Sequence, residues 1–328
     1  MRGTSLLIKR EEGCLVRDST CGRFASSVAA LLLAVVPPCV ATSSLPDDLF
    51  CQGTDIGTIL NVAHAGASSL APQNTMAAGR VALEVGADVW GIDVRRTKDG
   101  VFVLMHDETL DRTTNVEDLF PERSPWRVAD FSLDEIRTLD AGSWFVEQDP
   151  FHQIAEGNVS ADEATSYIGE PIPTLREALD FVAANHWLID VEVKAPLDVD
   201  FDTAASELVS LIRNTGTQNR VLISSFDFDL LRAVHRIAPD LPIGALSILP
   251  PLAPMATLKS LGIDVYLPSV VGFTDALLAD LEEAGIHVIV WTYNSRSQLH
   301  YATELLGVDG VYTDFPQRLA LLGAASSP

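Results

Sequence analysis

Two histidines stand where predicted strands end, and their side chains suit proton transfer. His64 follows the apolar run 58–63, and His106 follows the apolar run 101–105. The unperturbed pKa of imidazole lies near neutrality, so one ring can accept a proton while the other donates one. We expect the two strands to run in the same sense, which would place both rings at one end of an α/β barrel.

Acidic side chains occupy similar positions. Asp93 lies near the end of one predicted strand, and Asp190 and Glu192 lie on another, at 187–193. Residues two apart on a strand face the same side, so Asp190 and Glu192 share one face. Carboxylate oxygens are the ligands that a hard divalent cation prefers.

The elements that must position these residues alternate as in an α/β barrel. Helical patterns cover about 175–184 and 202–213, and short links separate helices from apolar strand patterns. Strands are predicted at about 187–193, 221–225, 243–246, 264–267, 287–291 and 310–313, in addition to those near Leu60, Val89 and Val103. This alternation predicts a TIM (β/α)₈ barrel with an insertion after the third strand.

The insertion covers about 107–170, and a connection of that length is usually functional or has its own small fold. It contains the aromatic pair Trp144 and Phe145. These side chains could line a substrate pocket, or they could pack the insertion onto the barrel. The sequence leaves both interpretations open.

The chain is strongly acidic, because 45 Asp and Glu stand against 22 Lys and Arg, for a net charge of -23. Charge therefore disfavours nucleic acid and the bare surface of an anionic membrane as partners. The length of 328 residues suits one barrel domain with a tail. We expect a small-molecule partner, and the sequence leaves the oligomeric state open.

A secretory signal is predicted at the N-terminus. Basic residues precede a short apolar core at 25–36, and small residues follow near Ala41. The core is too short to favour a stable membrane span. The mature protein is therefore expected to be secreted, periplasmic or on the cell surface; the alternative is an N-terminal extension with no role in export. The expected organisation is a signal peptide at 1–41, a linker at 42–57, the barrel at 58–320 and a tail at 321–328.

All four cysteines (Cys14, Cys21, Cys39 and Cys51) lie in the first 51 residues. The barrel therefore has neither a disulfide nor a thiolate metal ligand, and oxygen ligands and histidine remain for any metal. Cys39 could carry a lipid anchor, but the preceding residues 36–38 match a lipidation signal poorly.

Short motifs also follow one another in a distinctive order. They are His64-Ala65-Gly66, Pro72-Gln73-Asn74-Thr75, Gly86-Ala87-Asp88, Gly91-Ile92-Asp93-Val94, Thr97-Lys98-Asp99-Gly100, His106-Asp107, Leu110-Asp111-Arg112-Thr113-Thr114, Pro173-Thr174-Leu175, Glu177-Ala178-Leu179, Val191-Glu192-Val193-Lys194, Ser224-Ser225-Phe226-Asp227, Trp291-Thr292-Tyr293-Asn294 and Thr313-Asp314-Phe315-Pro316. In this order, the stretch of about 58–320 resembles the glycerophosphodiester phosphodiesterase family. The resemblance implies a TIM barrel that cleaves glycerophosphodiesters to glycerol 3-phosphate and an alcohol.

The resemblance also implies roles for single residues. These are catalytic His64 and His106, substrate-binding Lys194 and Trp291, and Asp93 and Glu192 as ligands of a divalent cation, Mg²⁺ or Ca²⁺. Either histidine alone is better explained as a hydrogen-bonded loop residue, but the pair in its motifs favours acid–base catalysis. Lys194 is one of four lysines in an acidic chain, which makes it the best positive anchor for a phosphate.

Three positions depart from the family motifs. Ala65 replaces an arginine, Gln73 replaces a glutamate, and Gly91 replaces the first acid of a Glu-x-Asp metal motif. Asp190 could supply the missing carboxylate as a third metal ligand, or it could be a polar residue of the barrel interior. We expect a retained but weakened cation site, and Gly91→Glu should then strengthen cation binding.

Two hypotheses of different class follow. The first is a phosphodiester hydrolase that uses the two histidines and a divalent cation. The second is a noncatalytic barrel that binds a phosphodiester or a related ligand, with the three departures marking lost activity. The sequence favours the enzyme, because His64, His106, Asp93 and Glu192 are all present.

Overall fold

The computed structural model describes residues 49–50, 59–271, 274–304 and 306–325. The predicted signal peptide, most of the predicted linker and all four cysteines lie outside the described residues. Within the described part, no helix is both long and apolar enough to cross a membrane.

The strands form a closed barrel. In the described residues they are β1 (Leu60–His64), β2 (Val89–Arg96), β3 (Phe102–Leu104), β4 (Leu188–Val193), β5 (Val221–Ser225), β6 (Ile243–Ser247), β7 (Val265–Pro268), β8 (His287–Val290) and β9 (Gly310–Thr313). All except β3 pair in parallel, and β1 closes the barrel by pairing with both β9 and β2. The predicted TIM barrel of eight parallel strands is confirmed.

Helices follow the barrel strands and fill the insertion. They are α1 (Met76–Glu84), α2 (Val116–Leu119), α3 (Leu133–Ile136), α4 (Ser143–Gln148), α5 (Ala161–Tyr167), α6 (Leu175–Asn185), α7 (Phe201–Thr215), α8 (Phe228–Ile237), α9 (Pro254–Leu261), α10 (Asp275–Glu283), α11 (Arg296–Glu304) and α12 (Pro316–Ala325). The last helix extends past the predicted end of the barrel at 320. Side chains three and four apart give α7 one buried face, formed by Ala204, Ala205, Leu208, Val209 and Ile212.

Strand β3 runs antiparallel to β2, so the expectation that both histidines follow strands of the same sense is wrong. Val94 pairs with Leu104, and only a short turn connects the two strands. A parallel crossover needs about a dozen residues or more, whereas a hairpin needs a few. The hairpin still returns the chain to the barrel mouth, because the amide of Met105 donates to the carbonyl of Asp93 at 2.9 Å.

The barrel interior is apolar below its mouth. Its core includes Leu60, Val62, Val89, Leu188, Leu222, Val265 and Ile289, and two residues of the predicted linker, Leu49 and Phe50, are buried in the same cluster. The insertion has its own core. Phe145 is fully buried in a second cluster that joins the insertion to Ala77 and Ala78 of α1, with Trp144 packed beside it, which favours the packing interpretation of this pair.

Candidate active site

A cavity of about 300 Å³ opens at the carboxyl ends of the parallel strands. All seven predicted site residues line it: His64, Asp93, His106, Asp190, Glu192, Lys194 and Trp291. Asp93 on β2 pairs in register with Glu192 on β4, so two carboxylates face each other on adjacent strands. This is the end of a TIM barrel at which substrates bind.

His64 is held by a carboxylate that the sequence analysis did not single out. Its Nδ1 lies 2.7 Å from Oδ1 of Asp314, at the end of β9. Ser68 and Asn294 also donate to Asp314, at 3.0 and 2.6 Å. Because the carboxylate accepts a hydrogen bond from the Nδ1–H group, Nε2 remains available for a substrate.

His106 has a matching arrangement. Its Nδ1 lies 2.7 Å from Oδ1 of the adjacent Asp107, and Arg112 pairs with the other oxygen of that carboxylate. The side chains of His64 and His106 remain 38% and 45% exposed, so a substrate in the cavity can reach both rings.

The hydrogen bonds between the two histidines and their carboxylates shift the pKa values of His64 and Asp107. Burial alone would lower the pKa of His64, but the hydrogen bond and charge of Asp314 outweigh it and raise the pKa above 6.5. The charges of Asp93 and Glu192 act in the same direction. The hydrogen bond from His106, followed by that from Arg112, lowers the pKa of Asp107.

Lys194 joins the two facing carboxylates. Its Nζ lies 2.9 Å from Oδ1 of Asp93 and 2.5 Å from Oε1 of Glu192. Burial raises the pKa of Asp93, but the positive charges of Lys194 and the two histidines outweigh it, so the net shift is downward. Burial and the charge of Asp93 raise the pKa of Glu192. One ammonium therefore balances a buried acidic pair.

Two further polar residues hold this framework in place. The side-chain amide of Asn74 donates to Oδ2 of Asp93 at 2.7 Å, and the amide of Asp93 donates back to Oδ1 of Asn74 at 3.1 Å. The buried guanidinium of Arg95 donates to the carbonyls of His106 and Ala195, at 3.0 and 3.3 Å. It therefore fixes the chain on either side of the cavity.

Asp190 belongs to a buried network on the cavity floor. Oδ2 of Asp190 accepts hydrogen bonds from Tyr312 and, at 2.9 Å, from Ser224. Burial raises the pKa of Asp190 to about 7. The ring of Tyr312 also fills the space above Gly91, since a Cβ added there would lie 2.8 Å from its Cε1. Position 91 has no room for a glutamate while the ring of Tyr312 lies there. The expectation that Gly91→Glu alone would strengthen cation binding therefore does not fit the structure.

The carboxylate oxygens of the site are the type of ligand that a hard divalent cation prefers. Asp93 and Glu192 converge on one point, and Oδ1 of Asp190 is buried without a hydrogen-bond partner. Lys194 stands at that point, and no three acidic, histidine or cysteine side chains of the described residues cluster closely enough to hold a metal as they stand. A cation would therefore require Lys194 to move aside.

An apolar wall faces the acidic side of the cavity. It is formed by Phe226, Leu246 and Trp291. The rings of Phe226 and Trp291 meet edge to face, with centroids 5.7 Å apart. The indole nitrogen of Trp291 donates to the carbonyl of Leu267 at 2.8 Å, which fixes the ring toward the cavity.

Several residues of the site were given no role in the sequence analysis, among them Asn74, Arg95, Tyr312 and Asp314. Asn74 and Asp314 lie within quoted motifs, and that position was the available signal. Arg95 and Tyr312 lie next to motif residues, and nothing in the local sequence shows what they contact.

The chain has relatives of known family. The Glycerophosphoryl diester phosphodiesterase family matches it over residues 64–318, which includes every residue of the cavity described above. The chain belongs to this family. The predicted family is therefore confirmed, and with it the predicted class of enzyme, a phosphodiesterase.

Two curated relatives and one solved structure illustrate the likeness. The glycerophosphodiester phosphodiesterase of Caldanaerobacter subterraneus subsp. tengcongensis is 34% identical over 79% of this chain and 96% of its own length. That of Bacillus subtilis is 31% identical over 79% of this chain and 84% of its own. The structure of an Oleispira antarctica phosphodiesterase in complex with the product sn-glycerol-3-phosphate has a TM-score of 0.67 and 26% identity, over 81% of this chain and 96% of that chain.

Proposed function

We propose that this phosphodiesterase hydrolyses glycerophosphodiesters to glycerol 3-phosphate and an alcohol. The observation that carries the proposal is a pair of histidines, each with a carboxylate on Nδ1, that share one cavity with Lys194. The Oleispira antarctica relative with bound sn-glycerol-3-phosphate supports the choice of product.

His64 acts as the general acid in this proposal. Because Asp314 raises the pKa of His64, the imidazolium persists to higher pH than in a free histidine and can protonate the departing alkoxide. His106 takes a proton from the attacking water. A bond forms between phosphorus and the water oxygen as the bond to the alcohol oxygen breaks, and one water is consumed for each diester.

The remaining residues bind and orient the diester. Lys194, at the position of the family's phosphate-binding lysine, supplies positive charge to a phosphate oxygen, and the arginine that the family motif has at Ala65 is absent. Trp291 and Phe226 bound the apolar side of the cavity and exclude water from one flank. The acidic side leaves room for polar hydroxyl groups.

Asp93 and Glu192 would hold a divalent cation, Mg²⁺ or Ca²⁺, with the free oxygen of Asp190 as a third donor. When bound, such a cation offsets the negative charge of the phosphate oxygens. Release of Lys194 from the two carboxylates would then free its ammonium for the phosphate. With Gly91 at the first acidic position of the motif, we expect this cation site to be weak.

The test is turnover of a panel of glycerophosphodiesters that differ in their alcohol, with EDTA, Mg²⁺, Ca²⁺ or Mn²⁺. We expect release of sn-glycerol 3-phosphate, and we expect the best divalent cation to increase it. General acid–base catalysis contributes about 10²- to 10⁴-fold, so His64→Ala and His106→Ala should each lower kcat by about that factor. Their Tm values should change little, because both rings are partly exposed.

The matched control is His300→Ala, which removes an exposed histidine of α11 and should keep full activity. Full activity in both cavity variants would exclude the acid–base scheme. Saturable binding of the panel without turnover under any condition would favour the noncatalytic barrel.

A further inference from the structure

An exposed apolar surface borders the cavity. Six of the eleven large apolar side chains that are exposed in the described part of the chain lie on the loops after β5, β6 and β7. These six define the apolar rim: Phe226, Ile248, Leu249, Leu252, Val270 and Val271. Leu252 is 95% exposed. Apolar side chains gathered in this way usually mark a binding surface.

The three loops of the apolar rim lie side by side. Their strands are neighbours in the barrel, since β6 pairs with both β5 and β7. The hydroxyl of Ser269 donates to the carbonyl of Ile248 at 2.7 Å, which ties the loop after β7 to the loop after β6. The rim is therefore one surface and not three separate tips.

The apolar rim is continuous with the cavity. Phe226 belongs to both, and Leu246 lines the cavity two residues before Ile248. The amide of Val270 donates to the carbonyl of Trp291 at 3.0 Å, so the loop after β7 lies against the apolar wall. A ligand seated in the cavity can therefore reach the rim along Phe226, which lines the cavity and is exposed on the rim.

The loops after β6 and β7, which carry five of the six rim residues, are free of charge in an acidic chain, whereas Asp227 follows Phe226. No charged residue lies between Asp240 and Lys259, or between Asp264 and Asp275, although the chain has 45 acidic residues. The loops after β6 and β7 offer no charged side chain that could attract a charged partner. The chemistry of the rim therefore suits an uncharged aliphatic group.

We propose that the apolar rim binds the aliphatic chain of a monoacyl glycerophosphodiester whose phosphodiester lies in the cavity. The inference rests on the proposed function and specifies its substrate class. At about 300 Å³ the cavity is small for a ligand site, so it suits the polar part of such a molecule and leaves the chain outside. Hydrolysis consumes one water, breaks the bond between phosphorus and the alcohol oxygen, and yields a monoacylglycerol phosphate and the alcohol.

The test compares glycerophosphocholine and glycerophosphoethanolamine with their 1-octanoyl and 1-dodecanoyl derivatives, all kept below their micelle concentrations. For the wild-type protein, kcat/KM should rise with chain length and be about tenfold or more higher for the dodecanoyl compound, because burial of methylene groups is favourable. Leu249→Ser/Leu252→Ser should remove most of that gain. Its kcat/KM for the deacylated compounds should stay within about twofold of wild type.

The control is Leu321→Ser, which removes from α12 a leucine as exposed as Leu249; it should retain the full chain-length preference. Turnover of deacylated and acylated compounds with equal kcat/KM would overturn this inference and leave the proposed function intact. No turnover of any compound would overturn both.

The inference would also be overturned if the apolar rim bound a bilayer or a second copy of the chain instead. If the rim docks a bilayer, the double variant should lose binding to phosphatidylcholine vesicles while showing no chain-length effect on monomeric substrates. If the rim joins two copies of the chain, the double variant should change the sedimenting mass, again with no chain-length effect.

Discussion

The carboxylates beside the two cavity histidines differ in what else they contact. The side chain of Asp314 is only 15% exposed and accepts from Ser68 and Asn294 in addition to His64. Asp107 is more exposed and pairs with Arg112. Among the groups that raise the pKa of His64, Asp314 has the largest effect, and a substitution at Asp314 tests it directly.

Asp314→Asn should shift the pH dependence of turnover. Removal of the anion lowers the pKa of His64, so the protonated acid is lost at lower pH and the alkaline limb of kcat/KM should move to lower pH. While Asp314 is ionised, the stability that the raised pKa of His64 contributes is fully present below about 6.5 and is lost as pH rises through that raised pKa. The measurements are pH profiles of kcat/KM and of Tm for wild type and variant.

Asp107→Asn serves as the comparison, because Asp107 contacts the other histidine. It should leave the alkaline limb assigned to His64 in place. An unchanged profile for Asp314→Asn would show that His64 is not the acid.

Residues from three strands lie together on the cavity floor. Gly91 on β2 lies in register with Asp190 on β4, and Tyr312 on β9 reaches between them. The phenol occupies the space that a larger residue at position 91 would need. The sizes of Gly91, Tyr312 and Asp190 are therefore complementary, although the three residues come from separate strands.

Gly91→Glu alone should destabilise the barrel without creating a good cation site. Overpacking of a filled interior costs about 1–3 kcal/mol, and the ring of Tyr312 is held by its bond to Asp190. Gly91→Glu/Tyr312→Ala removes the obstruction, so it should recover part of the lost Tm and bind Ca²⁺ or Mg²⁺ more tightly than wild type. Thermal unfolding and calorimetric titration measure the two effects.

Gly91→Ala provides the graded control and should cost less than the glutamate. A gain in cation binding by Gly91→Glu alone, with an unchanged Tm, would show that Tyr312 moves aside freely.

At the scale of the whole molecule, we propose that the protein is exported. The basic start, the apolar core at 25–36 and the small residues near Ala41 support this proposal, and they lie outside the described residues. Mass spectrometry of protein secreted from a suitable host should find a mature start near Thr42. Leu32→Arg places a charge in the apolar core and should retain the protein inside the cell. Intact Met1 on cytoplasmic wild-type protein would contradict export.

The sequence by itself determined the barrel and most of the site. Alternating apolar patterns set the strands, because a buried parallel strand and an amphipathic helix need different spacings of apolar residues. Thr75 is of a residue type that favours helix N-caps, and its hydroxyl accepts from the amide of Ala78 at the start of α1. The residues assigned from the motifs all line one cavity, because parallel strands end at the same barrel mouth and the β2–β3 hairpin returns His106 to it.

Only the tertiary structure decided what those residues contact. Asp314 and His64 are 250 residues apart along the chain, and Tyr312 and Asp190 are 122 apart. Such pairs form when barrel closure brings distant strands together, and local patterns carry no record of them. The direction of β3 was likewise decided by its pairing with β2. The apolar rim became visible only when the loops after β5, β6 and β7 lay side by side at the mouth.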